Sequence, residues 1–500
     1  MEGLPSYIYV KSSVRSLLDA KSFNHEDIND HIAERVAAIL FSDILDKRLS
    51  LLRDEACNYS TSLDQYSAGG LSLDLSRGFI SLERGVLLKK LFLGFAVLFC
   101  MAICLILPRN KHLNSKKISL VFGLNSDQIF KEKSVASLSN FLSDKLFEYN
   151  SGVDYFLVER RSSRYGMKHK ADKLITTFDI GFYLYKNFLK KSEQLSLFLS
   201  TLSSFAHLLV HHKEKNAEIF YIKDLILDAP LAKLLNTNAS IRHLIITPSN
   251  LLTKPMLYSI FRNTITTSMI WYSGNSVPIN HLGKFRELFD QSFFKLAQAN
   301  FHYVWSDAHK SYLQSVTKGN VIKSGSLMFY PKTSSATTNS NFTITIFDVT
   351  PTELPIYQAS IYSVSSTLHF LKDIELAQNL LRNSSFPEII WMLKSKRHYS
   401  KNHSPQYIKR LQSMKLILID PKMDLYQCIG NANFVVCVPY TSPAIIAQEL
   451  GIPVCYFSTS KDFDLLESLD GIPVHKSVEA LRTHIECTLA DYSKAKSEES

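Results

Sequence analysis

FVVCVPYTSPAIIAQELGIPVCYF, residues 434–457, decides how the second half of the chain folds. Phe434–Val438 is a short apolar run without alternation, the pattern of a strand buried on both faces. Thr441-Ser442-Pro443 then opens a helix. Ser442 suits the N-cap, and Pro443 suits the first helical position, where a missing N–H costs nothing. The helix Ser442–Leu450 ends before Gly451, and Pro453–Phe457 reads as the next buried strand. Strand, helix and strand in this order specify a parallel unit. Its helix starts at the carboxyl end of a strand, where free N–H groups and the positive end of the dipole suit a phosphate.

The same alternation extends outward from this stretch. Phe342–Asp348, Glu388–Leu393 and Leu416–Ile419 read as strands, separated by helices at Thr367–Arg382 and Tyr407–Met414. Leu425–Ile429 is a short helix, Val478–Tyr492 closes the domain, and the tail SKAKSEES is expected to lack structure. Upstream, strands are expected at Ile118–Leu124, Tyr155–Glu159, Glu218–Ile222, Leu244–Thr247, Met269–Ser273, Tyr303–Trp305 and Val321–Ser324. Helices fall at Ser134–Tyr149 and Leu195–His212. The polar tract Lys332–Asn341 (KTSSATTNSN) is the natural linker. The expected fold class is α/β, with two Rossmann-like domains at 117–331 and 342–492 facing a cleft and joined by 332–341. A helical segment (1–85) and a membrane-anchor helix (86–110) precede them.

Leu91–Leu107 (LFLGFAVLFCMAICLIL) is 17 residues without a charge. Lys89 and Lys90 lie before it, and Arg109 and Lys111 after it. This length sits at the lower limit for a bilayer core of roughly 30 Å. The run lies far from the N-terminus and no small-residue cleavage site follows, which excludes a signal peptide. It fits one span or a helix dipping into one leaflet. The richer basic flank on its C-terminal side argues for main domains on the cytoplasmic face of the inner membrane.

Net charge is +10 over 500 residues. Residues 1–85 hold 9 Lys/Arg against 13 Asp/Glu, so the positive charge lies in the remainder. Such a remainder suits nucleotide phosphates or an anionic membrane. No basic stripe alternates with stacking aromatics, so nucleic acid is not an expected partner. The seven cysteines form no CxxC pair, which points to a reducing compartment and no metal site.

Candidate phosphate ligands are Thr441, Ser442 and Ala444 at the helix start, with Lys394, Lys396 and Arg397 following the strand before them. Asp348, Tyr440 and Glu449 are further donor-binding candidates. Tyr272, Ser273 and Asn275, in the loop WYSGNSVPI at 271–279, carry aromatic, hydroxyl and amide groups suited to an acceptor sugar. Glycosyl transfer needs a carboxylate or His as base or nucleophile. Strand-end carboxylates are Glu159, Asp179, Asp224, Asp307 and Asp348, with Glu159 and Asp307 preferred as catalytic residues. His211 and His212 end an apolar helix and fit a helix C-terminal role.

Asp424-Leu425-Tyr426, Asn431-Ala432-Asn433, Thr441-Ser442-Pro443 and Gly451-Ile452-Pro453, with WMLKSKR at 391–397 and WYSGNSVPI, resemble the GT-B glycosyltransferases of capsule and O-antigen polysaccharide biosynthesis. The resemblance covers roughly residues 117–485. It implies a C-terminal domain binding a nucleotide-sugar donor such as a CMP- or UDP-sugar, and an N-terminal domain binding a glycan or lipid-linked glycan acceptor. It also implies transfer without a metal or other cofactor. Many such enzymes place a ribose-binding Glu five residues before the Gly of Gly-x-Pro. Here that position is Ile446. The implied activity is a membrane-associated glycosyltransferase. A non-catalytic, membrane-anchored assembly protein and another GT-B activity, such as a sugar-nucleotide epimerase, remain open alternatives.

Overall fold

The computed structural model describes residues 7–20, 26–40, 65–109, 116–123, 154–159, 174–212, 216–235, 240–247, 255–261, 264–271, 273–274, 280–281, 297–326, 341–351, 361–382, 389–396, 403–421, 425–461 and 463–499, with Asp43 and Met423 and apart from single positions. The expected helix Ser134–Tyr149 and all of the linker but Asn341 lie outside the described residues. The chain divides into two compact units. One is Met1–Trp271 with Asp290–Tyr303 and Val316–Asn320; the other is Tyr272–Phe289 with Val304–Ser315 and Val321–Ser500.

The first unit opens with helices α1 (Tyr7–Ala20) and α2 (Glu26–Ile39). The antiparallel sheet β1 (Gln65–Ala68), β2 (Leu71–Asp74) and β3 (Phe79–Leu82) follows. That sheet departs from the expectation of a mostly helical segment at residues 1–85. Its four-residue strands carry too little periodicity to stand out from a loop. The apolar run is helical from Arg84 to Ile106 (α3), long and apolar enough by length and composition to cross a membrane.

The main sheet of this half has the order β11-β10-β8-β7-β4-β5-β6. Its strands are β4 (Ile118–Val121), β5 (Tyr155–Glu159), β6 (Leu174–Thr177), β7 (Ile241–Ile246), β8 (Thr266–Ile270), β10 (Phe301–Val304) and β11 (Asn320–Lys323). β6, β5, β4, β7, β8 and β10 run parallel, with β4, between β5 and β7, buried on both faces. Helices α4 (Ile180–Phe188) and α5 (Lys191–Val210) follow β6. The expected strand at Glu218–Ile222 is instead helix α6 (Asn216–Phe220), running into a π-helical turn at Asp224–Asp228 and then α7 (Ala229–Leu235). Ile219, Tyr221, Ile222, Ile226 and Leu227 are all buried. A fully buried helix shows the same unbroken apolar run as a buried strand, so periodicity does not separate the two. Helix α8 (Met256–Phe261) lies between β7 and β8.

The second sheet has the order β14-β13-β12-β15-β16-β19-β18. Its strands are β12 (Phe342–Phe347), β13 (Ile389–Lys394), β14 (Ile417–Ile419), β15 (Phe434–Cys437), β16 (Val454–Phe457), β18 (Ser468–Leu469) and β19 (Ile472–His475). All pairs but β18–β19 are parallel. The two-stranded ribbon β9 (Asn280–His281) with β17 (Phe463–Asp464) belongs to the same unit, as does helix α9 (Asp307–Val316). Helices α10 (Val364–Arg382), α11 (Pro405–Ser413), α12 (Leu425–Gly430), α13 (Ser442–Glu449) and α14 (Val478–Glu499) cover the sheet. Helix α14 continues through the tail expected to lack structure, because its Ala, Lys and Glu residues are good helix formers. Cys437 and Cys455 are fully buried within the strands, as small hydrophobes. Numbering only the six parallel strands, the order is 3-2-1-4-5-6, so the chain reverses direction across the sheet between β12 and β15. Ligands of open α/β sheets bind at the carboxyl ends of the strands beside that reversal.

Candidate functional site

Two loops meet at this reversal, one leaving β12 and one leaving β15. The first carries Asp348. Its Oδ1 accepts bonds from the Thr350 N–H at 3.2 Å, the Thr350 hydroxyl at 3.1 Å and the Lys396 N–H at 3.3 Å. Oδ2 is buried without a partner. Burial pushes the Asp348 pKa up to about 7, against the pull of these bonds and of the Lys396 charge. Thr350, buried, takes a φ of 47°. A β-branched residue in the left-handed region is strained, and such residues gather at ligand sites.

The loop after β15 repeats this feature, since Tyr440 has a φ of 62°. Its ring is buried edge-on against Tyr456, with centroids 5.7 Å apart. Its hydroxyl accepts the Leu466 N–H at 3.0 Å. The sequence offered no sign of this backbone conformation, because turns that need φ above zero normally signal themselves by Gly or Asn. Tyr440→Phe should cost about 1 kcal/mol of stability, read by urea unfolding, since only the acceptor of the Leu466 N–H is lost.

The helix start differs by one residue from the expectation. Thr441 is the N-cap (φ −91°, ψ 145°) and Ser442 is already helical. The Thr441 hydroxyl turns back to the Val438 carbonyl at 2.7 Å, and the Ala444 N–H reaches the Thr441 carbonyl at 3.3 Å. The Ser442 Oγ accepts the Gly274 N–H at 2.9 Å and donates to the Ser273 Oγ at 3.3 Å. Several donors counted for a phosphate are therefore engaged within the protein. A Cβ at Gly274 would stand 2.5 Å from Ile445 Cδ1, so any larger residue in this loop would have to displace the end of that side chain.

Lys394 ends β13 buried, with its Nζ donating to the Pro421 carbonyl at 3.0 Å, while the Lys396 side chain is exposed. Arg397, Tyr272 and Asn275 lie outside the described residues. Glu449 stands at the far end of α13, about 10 Å along the axis from Ser442. There it accepts bonds from the N–H and hydroxyl of Ser326. The site thus brings together Asp348, Lys396, Tyr440, Thr441, Ser442 and Ser273, but not Glu449.

The preferred catalytic carboxylates fall in different units. Glu159 ends β5 half-buried, as expected. Asp307 is not a strand-end group: it opens α9, and its 70% exposed side chain pairs with Lys323. Asp179 caps α4 by accepting the Phe182 N–H, and Asp224 pairs with Arg35 at 2.7 Å. Sequence reading missed Asp228, which shares Lys223 with Asp179 at 2.9 Å each. His211 is the C-cap of α5, and His212 Nδ1 bonds the Leu209 carbonyl at 3.0 Å. Cys455, His475 and His484 hold their donor atoms within 4.8 Å of one another. The two imidazoles are 2.8 Å apart in a hydrogen bond. That is shorter than the roughly 3.3 Å between nitrogens on one tetrahedral zinc.

Two largely parallel sheets of Rossmann strand order, with a strained polar site at the reversal of the second, define the class as a doubly wound α/β protein. The chain belongs to the polysaccharide biosynthesis PFTS motif family, whose profile matches residues 203–485. Pro439-Tyr440-Thr441-Ser442 differs from the four letters of that name by Tyr in place of Phe. The match bears out the resemblance to polysaccharide biosynthesis proteins. No curated protein matches. Among solved structures, the wall teichoic acid polymerase TagF soaked with CDPG is 9% identical, over 82% of this chain and 91% of that one, with a TM-score of 0.38. Anabaena HepE with UDP and glucose is 15% identical, over 76% and 91%, with a TM-score of 0.40. The UDP-GlcNAc 2-epimerase of Neisseria meningitidis bound to UDP-GlcNAc is 13% identical, over 76% and 92%, with a TM-score of 0.37.

Proposed function

We propose that the chain is a membrane-associated glycosyltransferase that moves a sugar from a nucleotide-activated donor onto a growing surface polysaccharide or lipid-linked glycan. The reading places the reaction at the cytoplasmic face of the inner membrane and gives it no metal or other cofactor. The observation that carries it is the reversal site: a buried carboxylate with one unpartnered oxygen beside the strained Thr350 after β12, and a second strained residue, Tyr440, in the turn after the neighbouring β15. Strain of this kind, of order 1–3 kcal/mol per residue, persists where the surroundings hold it for a ligand. The nucleotide lies along Asp348, Lys396 and the turn Tyr440–Ser442, and Lys394 and Arg397 are kept as candidate phosphate ligands. Tyr272, Ser273 and Asn275 are kept as candidate ligands of the transferred or accepting sugar, and Glu159 as the candidate base.

A thermal-shift screen of UDP, GDP, CDP and CMP and their sugar conjugates tests this reading. A rise in melting temperature with a uridine or cytidine form, weakened by Lys394→Ala and by Ser442→Trp, is the expected result. Absence of any nucleotide shift would remove the transferase and epimerase readings together and leave a non-catalytic assembly protein.

A further inference from the structure

We propose that α3 does not cross the bilayer. With α5 it forms a paired apolar face on the first unit that docks into a single leaflet. The proposal rests on the membrane association proposed above and specifies its form.

The first observation concerns the two flanks of α3. Residues before it pack on residues after it: His31 Nδ1 lies 2.6 Å from Ser259 Oγ, with both residues buried. The Arg35 guanidinium pairs with Asp224 at 2.7 Å and lies 4.4 Å from the centre of the Tyr221 ring. A helix that crosses a membrane leaves its flanks on opposite sides of a hydrocarbon core roughly 30 Å thick. Hydrogen-bonded contacts between those flanks then cannot form. The fold of the first unit requires both ends of α3 on one side.

The second observation is the partner helix. Lys191, at the start of α5, donates to the carbonyls of Cys104 at 3.1 Å, Leu105 at 2.6 Å and Leu107 at 3.0 Å, at the end of α3. Phe205, towards the far end of α5, meets Phe95 at the middle of α3 edge-on, with ring centres 4.8 Å apart. A Cβ on Gly94 would strike the Phe205 ring at 2.2 Å. The two helices therefore lie antiparallel in close contact, and Lys191 satisfies carbonyls that the end of α3 would otherwise present to lipid. Gly94, Val97, Leu98 and Met101 form the buried face of α3. Its opposite face is bare, with Phe92 75% and Phe99 67% exposed.

Helix α5 carries the same division. Gln194–His212 holds no Asp, Glu, Lys or Arg over 19 residues. Leu197, Thr201, Phe205 and Leu208 are buried, whereas Leu195, Leu199 and Leu202, spaced i, i+4 and i+7, are about half exposed. A helix face exposed to water in a soluble domain normally carries charge. This one carries leucine and serine. Exposed Arg84 and Lys89 stand at one end of the pair, and exposed Lys190 and Lys191 at the other. Basic groups framing an apolar face match a leaflet with anionic headgroups rather than a protein partner.

Flotation of the full-length chain with phosphatidylcholine vesicles containing phosphatidylglycerol tests the proposal. The double variant Leu199→Glu with Leu202→Glu should weaken vesicle partition at least about tenfold, since a carboxylate in a leaflet costs more than 1.4 kcal/mol. Its circular dichroism melt should remain that of the wild type. In inverted membrane vesicles, an impermeant maleimide read site by site by mass spectrometry should label Glu83→Cys and Lys318→Cys from the same face. Labelling from opposite faces, or wild-type partition of the double variant, would overturn the one-leaflet face and leave membrane association standing. A wild-type chain that ignores vesicles and self-associates through these helices instead would overturn both.

Discussion

Lys223→Met should lower the unfolding free energy of the full chain by about 3 kcal/mol at pH 8, the lower end of the range for breaking a buried ion pair. Lys223 stands 2.9 Å from both Asp179 and Asp228, and Asp228 is almost wholly buried with its Oδ1 lacking a partner. Burial raises the Asp228 pKa and Lys223 opposes that rise. In the variant the opposition is gone, and the folded chain then holds a proton that the unfolded chain has released. Stability of the variant must therefore increase as pH falls from 8 towards the ordinary carboxylate range, and its deficit against the wild type must shrink. Urea unfolding at pH 8 and pH 5.5 measures both. Adding Asp228→Asn to Lys223→Met should recover part of the loss at pH 8 and remove most of the pH dependence. A pH-independent deficit under 1 kcal/mol would mean that the three groups are not coupled. Asp228 ends the π-helical turn Asp224–Asp228, and a Cβ on Gly181 would stand 2.3 Å from its Oδ1.

Asp348→Ala should reduce nucleotide affinity by about a hundredfold, near 2.7 kcal/mol. The carboxylate holds Thr350 in its strained conformation through two bonds and ties the loop after β12 to Lys396 through a third. Without it, these two bonds no longer offset the cost of φ 47°, and the loop relaxes away from the turn at Tyr440. Asp348→Asn keeps one acceptor oxygen and should lose less. The same residue sets a pH dependence. Its pKa is raised in the folded state to about 7 from an unfolded value of 3.8. Its contribution to stability is therefore complete below about pH 4 and is lost as pH rises through about 7, a change of at most about 4 kcal/mol. Asp348→Asn should flatten that slope, so thermal melts of variant and wild type should diverge in the variant's favour between pH 5 and pH 8. Parallel melts across that range would place the titration elsewhere.

How far the chain could be read from its residues follows from the range of the forces involved. Strands β12, β15 and β16 announce themselves because each is a buried run bounded by turn residues, and the helix between β15 and β16 carries its own start and stop signals. Asp348 was legible as a strand-end carboxylate, and the turn Tyr440–Ser442 as a helix entry. The strained backbone of Thr350 and Tyr440 was not. It is imposed by contacts with Asp348, Leu466 and Tyr456 that neither residue type favours by itself.

Local pattern by itself determined the alternating α/β order, the apolar helix near residue 91, and the helix entry within 434–457, since each depends on residues within a few turns of one another. Tertiary structure alone decided that Gly274 would hand its N–H to Ser442, that Lys223 would bridge Asp179 and Asp228, and that His31 would meet Ser259 across the apolar helix. Apart from Lys223 and Asp228, such partners lie far from one another in the chain, up to 228 positions for His31 and Ser259. Sheet order and helix packing bring them together, and a short window of sequence carries no information about either.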